Sequence, residues 1–83
     1  MDKTYNKKEF LLPDSINSCA SFHAKIYEDG RYVVRIHDCI TGIRLKGDLN
    51  TEQGVKDAIE KLQTLARGLE KCAYFIQENY LNN

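Results

Sequence analysis

Residues 19–37 read CASFHAKIYEDGRYVVRIH, and the alternation within this stretch decides the fold. Apolar and polar side chains alternate on both sides of residues 28–30, as in two half-buried strands joined by a turn. A two-residue loop would shift the pairing by one residue and place an arginine on the apolar face. A three-residue loop instead pairs Ile26 with Tyr32 and puts Gly30 in the left-handed conformation that such loops use. The stretch therefore predicts an antiparallel hairpin with a three-residue loop.

The chain after the hairpin supplies a third strand and a long helix. A shorter alternation at residues 43–47 predicts the strand. Asn50 is the predicted N-cap of the helix, and Gln53 occupies the capping-box position. Beyond them apolar residues recur at alternating spacings of four and three, which is typical of one helix face. This apolar row consists of Val55, Ile59, Leu62, Ala66, Leu69, Ala73, Ile76 and Tyr80.

These elements predict a single α+β domain over residues 1–83. Its expected architecture is an antiparallel sheet of three to four strands packed against one long, or one broken, C-terminal helix. Residues 1–18 form an arm or an edge strand in this prediction. Residues 19–49 form the sheet, and residues 50–82 form the helix.

The predicted helix is longer than the sheet that it should cover. Thirty helical residues span about 45 Å, whereas a strand of seven residues spans about 23 Å. Three arrangements would bury the surplus: a break near Gly68 with a fold-back, self-association into a homodimer, or docking on a different protein. For self-association the predicted contact residues are Leu69, Ala73, Ile76 and Tyr80.

Composition excludes several classes of protein. Twelve basic and twelve acidic residues cancel, which removes bulk charge as an argument for nucleic-acid or membrane binding. No apolar run reaches the roughly 18 residues of a membrane span. No hydrophobic signal region follows the polar N-terminal residues, so we expect no membrane association and a cytoplasmic location.

The basic residues are nevertheless unevenly distributed. Alternation places them on the outer face of the sheet, and no acidic residue lies within the three predicted strands. Such a face either contacts an acidic partner or keeps exposed strands soluble. Tyr27 is the only outward aromatic side chain, which disfavours a base-stacking platform. The predicted partner-binding residues are His23, Lys25, Arg31, Arg35, His37, Arg44 and Lys46.

The residues that usually carry chemistry form no recognisable site. The cysteines lack zinc-finger spacing, and we expect Cys19, Cys39 and Cys72 to be reduced. Two histidines share the outer face with a serine, but no carboxylate orients them and no third ligand completes a metal site. We therefore expect no catalytic residue, no metal and no cofactor, and hence no enzyme.

Two resemblances suggest a role. One part of the sequence resembles the beginning of HicB-type antitoxins. It consists of residues 24–42, the Gly-Asp step at residues 47–48 and the helix start at Thr51. The DNA-binding region that those antitoxins append has no counterpart in this sequence. The same order of strand, acidic-glycine turn, two strands and helix is also similar to that of small phage-encoded anti-CRISPR proteins.

Both resemblances imply a small non-enzymatic protein that inhibits or neutralises a macromolecular target. The implied function is that of an anti-CRISPR-like inhibitor of bacterial defence, encoded by a phage, a prophage or another mobile element, or that of an antitoxin. The implied partner is a protein or ribonucleoprotein in the cytoplasm of a bacterial host. The alternative function is a nucleic-acid-binding regulator that uses the basic outer face.

Overall fold

The computed structural model of the protein describes residues 3–15 and 17–81. Within these residues an antiparallel four-stranded sheet is followed by one long C-terminal helix, which confirms the predicted α+β fold. Residue 82, the predicted end of the helix, lies outside the described residues. The elements are β1 Tyr5–Phe10, β2 Ser21–Ile26, β3 Arg31–Asp38, β4 Thr41–Asp48 and α1 Glu52–Ile76, and Gln77–Leu81 continues the helix as a π-helical segment.

The four strands form a meander in which each strand pairs with the next one in sequence. Between β2 and β3 the register pairs Ile26 with Tyr32, which confirms the predicted three-residue loop. Gly30 has a φ of 89°, as a left-handed loop position requires. The loop is closed by a hydrogen bond from the Tyr27 N–H to the Arg31 carbonyl at 2.8 Å.

Strand β1 lies at the edge of the sheet, within the segment predicted as an arm or an edge strand. It pairs with β2 from Tyr5 opposite Ile26 to Phe10 opposite Ser21. Just beyond the strand, the Leu11 N–H donates to the Ala20 carbonyl at 2.8 Å. The fourth strand is thus supplied by the chain N-terminal to the hairpin.

The N-cap of α1 is Thr51, and the prediction of Asn50 as the cap was wrong. The Thr51 hydroxyl accepts a hydrogen bond from the Gly54 N–H at 3.0 Å. The Asn50 side-chain amide instead donates to the Asp29 carbonyl at 2.8 Å, in the loop between β2 and β3. Asn50 therefore ties the start of the helix to the hairpin, a tertiary contact that leaves the capping position to the next residue.

Replacing Thr51 with alanine is expected to lower the free energy of unfolding by about 1 kcal/mol, because the Gly54 N–H loses its acceptor. Urea denaturation measures the change. Thr64→Ala is the matched control: it lies in the exposed middle of α1, where alanine is the better helix former. Equal stability losses in the two variants would contradict the assignment of the cap.

Helix α1 runs without a break through Gly68, so the predicted alternative of a broken helix that folds back was wrong. A single glycine costs only about 1 kcal/mol in a helix interior. Its neighbours at residues 65–67 and 69–71 are mostly strong helix formers, which offset that cost. Among the described residues no helix is long and apolar enough to cross a membrane.

The helix covers only part of the sheet. Lys61, in the N-terminal half of α1, donates to the Lys46 carbonyl at 3.5 Å, and its ammonium group lies 5.5 Å from the centre of the Tyr32 ring. The N-terminal half of α1 therefore lies over β3 and β4. Every residue from 66 to 81 is exposed. The described residues bury only three apolar side chains, those of Ala20, Tyr32 and Ala58.

Candidate functional site

A row of basic side chains crosses the outer face of the sheet on all four strands. The register places Lys8 opposite His23, His23 opposite Arg35, and Arg35 opposite Arg44. Residues opposed in this way project from the same face. With about 4.8 Å between neighbouring strands, these four side chains, which we call the basic row, extend over about 14 Å.

The next set of paired residues along the strands adds two lysines. Lys25 and Lys46 flank Val33, which lies between them on β3. The Lys25 ammonium group lies 5.1 Å from the centre of the Tyr27 ring. An open groove of about 630 Å³ follows β3 and β4 here. Its charged lining consists of four cations and one carboxylate, namely Arg31, Arg35, Arg44, Lys46 and Asp48. The groove therefore carries an excess of positive charge.

Arg31 and His37 lie at opposite ends of this face. The Arg31 guanidinium pairs with the Asp29 carboxylate at 2.7 Å and lies 5.3 Å from the centre of the Tyr27 ring. The Arg31 backbone N–H, assisted by the guanidinium and partly opposed by desolvation, lowers the pKa of Asp29. Arg31 thus has an acidic partner within the chain, whereas His37 is exposed beside the loop between β3 and β4.

The central cations of the face have no acidic partner. Ion pairs among residues 3–15 and 17–81 join Lys7 to Glu9, Arg31 to Asp29 and Lys56 to Glu52. Arg35, Arg44 and Lys46 take part in none of them. Because like charges directly opposite one another destabilise a sheet, the Arg35 and Arg44 pair does not contribute to folding.

His23 is fixed by its neighbour on the edge strand. Its Nε2–H donates to Oδ1 of Asn6 at 2.6 Å, which links β1 to β2 on the outer face. Ser21 and His37 are opposed in the register, but no hydrogen bond joins their side chains in the structure. In the described part of the chain no three His, Cys, Asp or Glu side chains converge as metal ligands would.

The structure thus places all seven predicted partner-binding residues on the outer face of the sheet, namely His23, Lys25, Arg31, Arg35, His37, Arg44 and Lys46. It also adds Lys8, which the sequence did not indicate. Residues 5–10 show no clear alternation, so neither a strand register nor an outward face could be assigned to them. The two adjacent lysines at residues 7–8 were the only feature of the sequence that could have indicated a basic residue of the outer face in this segment.

A pair of cysteines at the end of the sheet was also not predicted. Continuing the register of β2 and β3 by two residues places Cys19 opposite Cys39. The interaction between the two side chains raises the pKa of Cys19 and, together with the Cys19 backbone N–H, lowers the pKa of Cys39. Both residues are free thiols and exposed.

Because the thiolate is the reactive form of cysteine, we expect iodoacetamide at pH 7 to modify Cys39 faster than Cys19. Peptide mass spectrometry of partially alkylated protein measures both rates. In the Cys39→Ala variant the Cys19 thiol loses this interaction, and its alkylation rate should rise. Faster alkylation of Cys19 than of Cys39 in the unaltered protein would contradict the directions of the two pKa shifts.

Comparisons of the chain with protein-family models, with curated proteins and with solved structures found no match.

Proposed function

We propose that this chain is a non-enzymatic binding protein that docks the basic outer face of its sheet on an acidic macromolecular surface and thereby blocks that surface. One observation carries the proposal: Arg35, Arg44 and Lys46 are clustered without an acidic partner. Their mutual repulsion costs folding free energy. Carboxylates of a partner would offset this cost on binding and would also steer the encounter.

Two features favour a protein surface over single-stranded nucleic acid as the target. The Tyr27 ring already has Lys25 and Arg31 over it, at 5.1 Å and 5.3 Å from its centre, so a stacking base would compete with these two cations. Val33 places an apolar contact between the two lysines of the face. A mixture of cations with an apolar centre is typical of protein interfaces.

The resemblances to HicB-type antitoxins and to anti-CRISPR proteins support a neutralising role for such docking. We propose a bacterial protein or ribonucleoprotein as the target, and the cytoplasm as the place of action. No catalytic group is needed for this function, because occupation of the target surface is itself the inhibition.

Comparative affinity capture from a bacterial lysate tests the proposal. The test variant carries Lys25→Glu, Arg35→Glu and Arg44→Glu. The control variant carries Lys56→Glu, Arg67→Glu and Lys71→Glu, which changes the net charge equally but on the helix. We expect mass spectrometry to identify a target that is retained by the unaltered protein and by the control, and lost by the test variant. If all three proteins retain the target equally, the target does not dock on the basic outer face of the sheet, and the proposal is wrong.

A nucleic-acid-binding regulator is the second candidate, favoured by the cationic groove along β3 and β4. Direct titration with duplex and with single-stranded nucleic acid separates the two functions. Five phosphate contacts, one for each lysine or arginine of the basic row and its flanking positions, would lower the affinity for duplex about 500-fold between 50 and 200 mM salt. Absence of binding at low salt would exclude the regulator, whereas tight binding with this salt dependence would replace the inhibitor proposal.

A further inference from the structure

The chain exposes far more surface than a folded monomer of its size. Its accessible surface is 7110 Å², whereas about 5,100 Å² is expected for a monomer of 9.6 kDa. The excess is about 2,000 Å² per chain, and standard interfaces bury about 800 Å² per partner. The radius of gyration of 15.5 Å likewise exceeds the roughly 12 Å of a compact domain of this length.

Much of the excess is apolar and continuous. The exposed fraction is 59% for Leu69, 52% for Ile76 and 77% for Tyr80, all of them members of the apolar row of α1. An open groove of about 260 Å³ with an almost entirely apolar lining continues this surface between the helix and the inner face of the sheet. Tyr5 and Ile26 line its sheet side, because α1 lies over β3 and β4 and leaves β1 and β2 uncovered.

We propose that a second copy of this chain covers the apolar row and fills this groove, through antiparallel pairing of two α1 helices around a two-fold axis between Arg67 and Gly68. The proposal follows from the spacing of the row, which is symmetric about that point. In this arrangement each of the eight apolar residues of the row lies opposite an apolar residue of the partner's row, and no member of the row is left unpaired. The contacts set Leu69 against the partner's Ala66, Ala73 against the partner's Leu62, Ile76 against the partner's Ile59, and Tyr80 against the partner's Val55.

Side-chain volume selects this orientation. Small residues, Ala66 and Ala73, alternate with large ones along the row. Antiparallel pairing sets every alanine against a leucine, so that the two surfaces interlock at native density. Parallel pairing in register would set alanine against alanine and leave voids between the large pairs.

The residues that flank the row select the same orientation. One flank is polar and includes Gln63 and Glu70, and the other is apolar and includes Leu65 and Cys72. Antiparallel pairing brings Gln63 next to the partner's Glu70, and Leu65 next to the partner's Cys72. Parallel pairing would bring the polar flank of one helix against the apolar flank of the other, at a desolvation cost.

The same pairing completes the core over the sheet. Residues 73–81 of the partner run alongside residues 55–62, so the partner's Ile76 and Tyr80 lie over the apolar groove. Helices pack about 10 Å apart, and a sheet of four strands is wide enough to carry two of them. Each sheet is then covered by the first half of its own helix and the second half of the partner's.

Sedimentation velocity of the Leu69→Glu/Ile76→Glu variant tests the interface, with circular dichroism as the check on folding. The control variant is Thr64→Glu/Lys71→Glu, which also introduces two glutamates into α1 but on the face opposite the apolar row. The unaltered protein and the control should sediment as dimers at micromolar concentration. The dimer dissociation constant of the test variant should be at least tenfold higher. An unaltered protein that is monomeric at millimolar concentration would overturn the proposal, as would a test variant that dimerises like the control.

Disulfide trapping tests the register without disrupting the fold. In a background of Cys19→Ser, Cys39→Ser and Cys72→Ala, the double variant Ile59→Cys/Ile76→Cys is oxidised with glutathione disulfide. The two positions lie about 26 Å apart along one helix, so only the partner's Cys can complete a bond. The double variant should form a covalent dimer, and neither single variant should. Covalent dimers of the Ile76→Cys single variant, or none from the double variant, would overturn the antiparallel register.

Discussion

Tyr32→Ala is expected to lower the free energy of unfolding by about 3–5 kcal/mol, the range for truncation of a buried aromatic side chain. Tyr32 is the one large apolar side chain among the described residues that is buried, with 5% of its surface exposed. Its ring lies so close to Gly47 that a Cβ there would be 2.6 Å from Cε1. The alanine variant would therefore leave a cavity at the point where α1, β3 and β4 meet.

Urea denaturation of the Tyr32→Ala and Tyr74→Ala variants measures this effect. Tyr74 lies on α1 with 63% of its residue surface exposed, so its truncation should change stability by no more than about 0.5 kcal/mol. Similar losses in both variants would show that Tyr32 is not the centre of the core.

Gly30→Val is expected to destabilise the protein by about 2–3 kcal/mol. A β-branched residue at a φ of 89° costs about 1–2 kcal/mol. The new Cβ would also lie 2.8 Å from Cγ of Asn50. Displacing Asn50 breaks its hydrogen bond to the Asp29 carbonyl, which adds about 1 kcal/mol.

Gly68→Val is the matched control for this substitution. Nothing lies within 4 Å of a Cβ built at Gly68, and valine is a slightly better helix former than glycine. Thermal unfolding should therefore show a lower Tm for Gly30→Val and an unchanged or slightly higher Tm for Gly68→Val. Equal Tm values would mean that the hairpin loop tolerates a side chain at residue 30.

The central hairpin and the helix could be predicted from sequence because their patterns are local. Only one loop length keeps Arg35 off the face that carries Ile26, so the register of β2 and β3 followed from alternation alone. The apolar row identified α1 in the same way. The predicted basic face depended on that register, which explains why its seven residues lie on one face of the sheet in the structure.

The remaining features depend on contacts that a linear pattern does not encode. Asn50 and Thr51 are both good N-caps, and the choice between them is made by Asp29 in a distant loop. Strand β1 has no alternation, and its register is set by pairing with β2, so Lys8 could not be placed. Glycine at residue 68 costs the helix only about 1 kcal/mol relative to alanine. This difference is too small to predict from sequence whether α1 continues or breaks there.

The two proposed surfaces do not compete with each other. The basic row and its flanking lysines lie on the outer face of the sheet, whereas the apolar groove lies on the inner face with α1. Pairing of two chains through α1 would therefore leave both basic faces free. A dimer of this kind presents two copies of the docking surface, which raises avidity for a target that has repeated acidic sites.

If a second copy covers the apolar row, the Tyr80 ring of one chain lies against the Val55 methyl groups of the other, and a nuclear Overhauser effect between them detects this contact. These residues are about 38 Å apart along one helix, so no such signal can arise within one chain. In a mixed sample of ¹³C-labelled and unlabelled protein, we predict an isotope-filtered signal between Tyr80 of one chain and Val55 of the other. An intermolecular signal between the two Tyr80 rings, or no intermolecular signal from either residue at millimolar concentration, would rule out the antiparallel pairing of the two helices.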